Sequence, residues 1–363
     1  MTSPRRRIAT LHSLARVVSG SDSPLTPSSW DDVVALTDEL GIGPAVWRAI
    51  RDRQDPPAWA AEALHERYRA NALRNARLRH QLCEAVHALN EEGIEPLLFK
   101  GSLQLIDGSL ETIGDRWMED LDLAVVESEL DGATRALIGI GYRCAQGKPF
   151  RHPHEIPFFR LRSAGPIEVH VELGSPPIPS VLPVADAWSA SSALSVPDAH
   201  MRALSPTHQV LHNVLHSSVQ DFNHAIRGLP LRQLLILSIL LRAHGEAIDW
   251  SEVRGRMAEH GLESELQEYL WLAHRFGGAP LPDGDWVRPS PLHNALVLAV
   301  FALGWAADVQ RNLRYAFGRA YLDSLYNHGN RPMRLAMARV RHALTVVRRE
   351  RRAALDQALV RKV

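Results

Sequence analysis

The sequence predicts an α+β protein, a small mixed sheet flanked by N-terminal helices and followed by a C-terminal helical domain. Changes of hydrophobic period predict it. Leu78, Leu82, Val86 and Leu89 recur at helical spacing. Ile167, Val169 and Val171 instead alternate with Glu168, His170 and Glu172, the period of a strand. From Ser205-Pro206 onward the helical pattern returns. A chain of 363 residues has room for roughly two to three domains of about 100–200 residues each. The expected partition is a helical region over 1–92, a sheet-bearing core over 93–199, and a helical domain over 200–363 ending in a basic helix.

In chain order, Asp31 and Asp32 stand near a helix start, with Val33, Val34, Leu36 and Leu40 following at helical spacing. Pro56-Pro57 breaks the chain, the long helix with the Leu78 stripe follows, and Gly93 stops it. Ile94–Phe99 reads as a buried strand, Gly101-Ser102 as its turn, and Leu103–Leu105 as the start of a helix. Leu121–Val126 is the second strand, and Leu130, Thr134, Leu137 and Gly141 mark the next helix and its stop. Tyr142–Cys144, Ile156–Leu161 and Ile167–Leu173 are further strands. Pro176, Pro177, Pro179 and Pro183 make a connection. Helices are then expected through Val210, Leu211, Val214 and Leu215, through Leu234–Leu241, and from Asp249 to Gly261.

Hydrophobic residues make up 45% of the chain and charged residues 23%, enough for a sizeable core. Lys plus Arg equal Asp plus Glu at 41 each, so bulk charge does not favour nucleic acid as a partner. The exception is the Arg-rich segment 331–363, opposed there only by Glu350 and Asp356. It suits a solvated helix face, an oligomer contact, nucleic acid or an anionic membrane surface. Cys83 and Cys144 are too few for a disulfide framework or a Cys-rich zinc site. No apolar run follows the charged N-terminus. The apolar stretches Leu229–Leu241 and Ala295–Ala307 are shorter than the roughly 20 residues that span a bilayer. A cytoplasmic protein without a membrane span is therefore expected, and nothing in the sequence sets its oligomeric state.

Three segments carry chemistry. In LLFKGSLQL (97–105), Gly101 and Ser102 stand at a strand-to-helix turn, where backbone amides and a hydroxyl suit a phosphate; an ordinary loop fits as well. In RWMEDLDLAVV (116–126), Asp120 and Asp122 share one strand face. Paired carboxylates repel unless a cation lies between them, and hard oxygen ligands suit Mg²⁺; a charged sheet edge is the competing reading. In GPIEVHVEL (165–173), Glu168 faces out of another strand. If that strand lies beside the Asp120–Asp122 strand, three carboxylates converge as in two-metal nucleotidyl transfer, with Glu168 also placed to take the acceptor proton.

Around these, Arg116 suits the β- and γ-phosphates or a salt bridge to Glu119 or Asp115, and Lys100 suits phosphate or solvent. His208, His212 and His216 line one helix face, where packing and ligand contact both fit. His170 shares the face of Glu168, and His152 and His154 precede a strand.

In this order the motifs resemble the DNA polymerase β-type nucleotidyltransferase superfamily. Within it they resemble a poorly characterised bacterial nucleotidyltransferase family. The resemblance rests on Lys100-Gly101, Arg116 to Leu123, Gly141-Tyr142, Ile167 to His170, SPTHQVLHNVLH (205–216) and IDWSEV (248–253), and spans about 80 to 275. It implies a nucleotidyltransferase core, Mg²⁺ and an NTP donor. Two ions are expected, with Mn²⁺ as an alternative. Asp120, Asp122 and Glu168 are the expected metal and catalytic residues; Lys100, Gly101, Ser102, Arg116 and His216, the family's recurrent helix histidine, are the expected nucleotide contacts. Two departures are the seventeen residues between Ser102 and Asp120, and Glu168 where Asp is commoner. The motifs leave open which of ATP, GTP, CTP and UTP is used and which acceptor is modified. An RNA- or tRNA-modifying enzyme and a non-catalytic nucleotide-binding scaffold are the competing readings.

Overall fold

The computed structural model describes residues 3–20, 29–108, 112–144, 155–304 and 333–341. The chain divides into the units Met1–Leu298 and Ala299–Val363. The second is described over 299–304 and over a helix at 333–341, so most of the basic C-terminal segment lies outside the described residues.

The first unit opens with helices. α1 (Pro4–Val18) is capped by Ser3, and α2 (Trp30–Leu40) by Ser29 with Asp31 and Asp32 in its first turn. α3 (Gly43–Ile50) follows, and then α4 (Ala58–Glu91), a helix of 34 residues that starts after Pro57. Gly93 turns the chain at φ 75°. The expected apolar stripe of α4 is fully buried at Leu78, Leu82, Val86 and Leu89.

The core alternates short strands and helices: β1 (Leu97–Leu98), α5 (Lys100–Asp107), β2 (Leu121–Ala124), α6 (Leu130–Gly139), β3 (Arg143–Cys144), β4 (Glu155–Phe159) and β5 (Ile167–His170). β5 stops at His170, so Glu172 lies beyond the strand that period 2 had extended to Leu173. After α7 (Ile178–Val181) and α8 (Val184–Ser189) comes a hairpin with no counterpart in the sequence reading, β6 (Ser192–Val196) and β7 (Ala199–Ala203). Asp198 makes its turn at φ 62°. β7 runs parallel to β1, with Arg202 N donating to Pro96 O at 2.8 Å and Leu204 N to Leu98 O at 3.2 Å.

One mixed sheet results, in the order β3-β4-β5-β2-β1-β7-β6. β2 and β5 are parallel neighbours, with Asp122 opposite Glu168 and Ala124 opposite His170. Strand alternation then sends Leu121, Leu123, Ile167 and Val169, all fully buried, to the opposite face. α4 packs against α6 and β7.

The remaining helices of this unit are α9 (Pro206–Val214), α10 (Asn223–Ile226), α11 (Leu231–His244), α12 (Trp250–Glu259), α13 (Glu263–Gly277) and α14 (Pro291–Ala302), which runs on into the second unit. Ser205 caps α9 and Asp249 caps α12, and Gly261 follows α12 at φ 68°. Between α9 and α10 the chain widens into a π turn, Leu215–Gln220. No helix among the described residues is long and apolar enough to cross a membrane.

α4 also grips the loops that lead into β2 and β5. Asn71 and Asn75 are fully buried. Asn71 Nδ2 donates to the carbonyls of Gly114 (2.7 Å) and Arg116 (2.8 Å). Asn75 Nδ2 donates to those of Ile113 (2.6 Å) and Arg116 (2.8 Å). Arg74 reaches the Met118 carbonyl at 2.9 Å, and Gln81 holds the 164–165 loop through Ala164 N (2.9 Å) and Gly165 O (2.7 Å). Buried carbonyls stripped of a donor are costly. Asn75→Ala should therefore destabilise the protein by about 2–4 kcal/mol. The Arg116 carbonyl keeps one donor in either single variant and loses both in Asn71→Ala/Asn75→Ala. The double variant should cost more than the sum of the singles in urea unfolding, and strict additivity would contradict the shared grip.

Candidate metal and nucleotide site

The site forms where β2 and β5 lie side by side. Asp122 is buried, and its Oδ1 accepts from Lys100 Nζ at 2.7 Å and lies 3.1 Å from His170 Nε2. Glu168 Oε2 is 3.8 Å from His170 Nε2, with 23% of its side chain exposed against 1% for His170. One ligand atom from each of Asp122, Glu168 and His170 falls within 4.8 Å of the others. Strand pairing makes this cluster: Asp122 and Glu168 are register partners, and His170 follows Glu168 by one strand period.

Asp120 lies in the irregular stretch just ahead of β2 and is not part of that cluster. Its charge is felt there nonetheless. Burial, and then the neighbouring Asp122, push its carboxyl above the usual range, against the pull of Lys100 and Arg116. Asp122 behaves oppositely. Burial disfavours its charge, but Lys100 and the His170 hydrogen bond outweigh that and hold its carboxyl well below the usual range. Burial likewise opposes the charge on Lys100, and Asp122, Asp120 and Glu168 overcome it, so the ammonium is held above its ordinary value.

The expected nucleotide contacts divide. Lys100 leaves β1 with φ 51°, an unusual backbone state for a side chain with Cβ. Gly101 does not face open space: a Cβ there would meet Met118 Sδ at 2.5 Å, with Arg116 Cζ 3.7 Å away. The glycine therefore admits the 116–118 segment against α5 rather than leaving a bare cradle. Ser102 is fully buried, and its Oγ has no hydrogen-bond partner among the described residues. Arg116 Nη1 donates to Gln104 Oε1 at 3.0 Å. Burial lowers its guanidinium to about 10, partly offset by Asp122 and further opposed by Arg232.

A cavity of about 340 Å³ adjoins this group. Lys100, Gln104, Arg116, His212 and His216 stand among its polar lining, and Leu103, Ile236, Ile239 and Leu240 give it an apolar wall. His212 is buried, donates from Nε2 to the Leu173 carbonyl at 2.9 Å, and packs edge-on against Phe99. Burial, then His216 and Lys100, push its pKa far down, so it is neutral. His216 falls in the π turn, with Nδ1 3.3 Å from Asp221 Oδ2; such turns often re-aim side chains at functional sites. His208 points elsewhere, its Nε2 3.0 Å from Glu252 Oε1. His152 and His154 lie outside the described residues.

Sequence reasoning missed the residues that hold the site in place. Gln104 lies one helical turn after Lys100, a polar residue among Leu103, Leu105 and Ile106, and that spacing was its signal. Asn71, Asn75 and Gln81 interrupt the α4 stripe with polar residues at helical spacing. Where an inward stripe turns polar, it meets backbone rather than side chains.

The donor set fits a divalent cation. Two carboxylates and an imidazole converge, Asp120 adds negative charge nearby, and the countercharge in contact with Asp122 is a flexible ammonium. The set is buried enough that its charges need an ion or a fixed partner. No curated protein and no solved structure matches the chain. A family model described as an uncharacterised nucleotidyltransferase does match it, over residues 26–278. That span takes in the grip of α4, the sheet, the carboxylate cluster and helices α9 to α13. The chain thus belongs to this nucleotidyltransferase family and is a transferase with a nucleotide substrate.

Proposed function

We propose that this protein moves an NMP group from an NTP to a hydroxyl or phosphate acceptor on a small molecule, glycan or peptide, in a Mg²⁺-dependent reaction that releases pyrophosphate. The observation that carries the reading is the parallel pairing of β2 with β5, which sets Asp122 against Glu168 beside a cavity lined by Lys100 and Arg116. Asp120, Asp122 and Glu168 would hold two ions, with His170 at the same cluster. Mg²⁺, or Mn²⁺ in its place, would neutralise phosphate charge and make the acceptor hydroxyl more acidic.

The chain's own residues do the rest. Arg116 is a partly buried cation whose described hydrogen-bond partner is the neutral amide of Gln104, so an anionic phosphate is its natural complement. Neutral His212 lines the cavity and adds no charge to it. His216 reaches the cavity from the π turn. Glu168 is the most exposed member of the cluster, and it takes the proton of the acceptor hydroxyl. As that oxygen bonds to the α-phosphorus, the bond from α-phosphorus to the bridging oxygen breaks, and pyrophosphate leaves with the electron pair.

The test is incubation with each of the four NTPs, Mg²⁺ and fractionated cell extract. Pyrophosphate would be assayed and adducts sought by mass spectrometry. The expected result is metal-dependent pyrophosphate release with an NMP mass added to one acceptor class. NTP binding without turnover across all fractions would instead favour a scaffold.

A further inference from the structure

We infer that Lys100 is a tethered cation that occupies Asp122 Oδ1, the oxygen turned to His170, until a triphosphate draws it away. The inference rests on the reading of the site as one that takes metal and NTP.

Four observations carry it. First, Lys100 Nζ is 2.7 Å from Asp122 Oδ1, the oxygen that also faces His170 Nε2. Asp122 is the member of the ligand cluster that this ammonium contacts, so the ammonium stands where a cation would be wanted. Second, Lys100 also lines the cavity, and so does Arg116. An incoming polyphosphate therefore offers the ammonium a second set of anionic oxygens without a change of address. Third, the backbone beneath it is anchored. Gly101 is packed under Met118, and Lys100 is held at φ 51°. Movement is thus confined to the four-carbon stem, which carries Nζ over the Phe99 ring, 5.4 Å from its centroid. Fourth, Asp122 is buried and needs a positive partner at all times. A built-in ammonium supplies one when metal is absent, and it must leave Oδ1 for an ion to bind there.

An ordinary structural ion pair predicts something different. Removing Lys100 would then loosen the fold without improving metal binding. The device described here predicts two opposite changes from one substitution. In Lys100→Met, the affinity for Mn²⁺ alone should rise roughly ten- to hundredfold, the scale of one charge-assisted contact. The affinity for nucleotide in EDTA should fall by a similar factor.

The experiment titrates Mn²⁺ alone by electron paramagnetic resonance at pH 8. It separately titrates the four α,β-methylene nucleoside triphosphates in EDTA by calorimetry. Wild type, Lys100→Met, Lys100→Arg and Arg116→Gln are compared, with circular dichroism to check folding. Lys100→Arg keeps a cation on Asp122, so it should not gain Mn²⁺ affinity, and it covers the case in which Lys100→Met misfolds. Arg116→Gln removes a cavity cation that does not touch Asp122. It should weaken nucleotide binding and raise Mn²⁺ affinity by much less than Lys100→Met does, since Arg116 acts on Asp120 and Asp122 only through space. Unchanged or weaker Mn²⁺ binding in folded Lys100→Met overturns the inference while leaving the nucleotidyltransferase reading intact. So does a Lys100→Arg variant that gains Mn²⁺ affinity. A wild type that binds neither Mn²⁺ nor any of the four nucleotides overturns both.

Discussion

Asp122→Asn and Asp120→Asn should each lower turnover by roughly 10³-fold or more, yet only the first should cost stability. The two carboxylates sit two residues apart and both lose water on folding, so their difference comes from what they touch. Asp122 has Lys100 and His170 against it, and its carboxyl is held below its ordinary value. A depressed carboxyl contributes stability that is present above its unfolded pKa and is lost as pH falls. At neutral pH, Asp122→Asn removes that contribution and leaves Lys100 facing a neutral amide. The cost is on the order of 3 kcal/mol. Asp120 is pushed upward by burial and by Asp122. A raised carboxyl is a liability that grows as pH rises past its unfolded pKa, so Asp120→Asn should be neutral or stabilising at pH 7. Thermal melts at pH 7, run beside a pyrophosphate assay, read both effects. If the two variants lose stability equally, the charge asymmetry drawn from the cluster is wrong.

How much of this was readable in the sequence follows from which interactions are local. That Glu168 and His170 share a face was readable, because side-chain direction within one strand depends only on residue parity. That Asp122 joins them was not, because strand pairing is not local: the alignment of Asp122 with Glu168 joins residues 46 apart. The β6–β7 hairpin escaped notice for a related reason. Ala199–Ala203 carries little strand propensity, and it becomes a strand because β1 offers Pro96 O and Leu98 O to its amides. Its one local signal was Pro197-Asp198, a turn pair at the bend. By residue type Gly101-Ser102 fitted a phosphate turn or an ordinary loop, but the packing of Met118 against Gly101 is invisible until the 116–118 segment is placed. The π turn at His216 was unreadable too, since Leu215–Gln220 carries no residue type that sets it apart from an ordinary helical turn.

Gly165→Ala should be a severely damaging methyl addition, although it touches no charged group. Gly165 immediately precedes the segment that leads into β5, and it passes against the chain leading into β2. There a Cβ would fall inside the van der Waals envelope of the Glu119 carbonyl oxygen, with Leu78 Cδ2 3.2 Å away. Backbone cannot swing aside as a side-chain tip can. Neither segment is free to retreat: Leu121 N donates to Pro166 O at 3.0 Å, Gln81 holds Gly165 O at 2.7 Å, and Arg74 holds Met118 O at 2.9 Å. The strain should appear as a loss on the order of 3 kcal/mol in chemical unfolding. What relaxation remains would shift residues 119–121, and with them Asp120. A displacement of about 1 Å at a reacting centre costs roughly 10²-fold in rate, so turnover should fall even in the folded fraction. Gly255→Ala is the matched control, because a Cβ there meets nothing within 4 Å and the residue lies inside α12. It should raise stability by about 0.5–1 kcal/mol and leave turnover unchanged. If Gly165→Ala melts and turns over like the wild type, the close passage of the two chains is not what sets Asp120 beside the cluster.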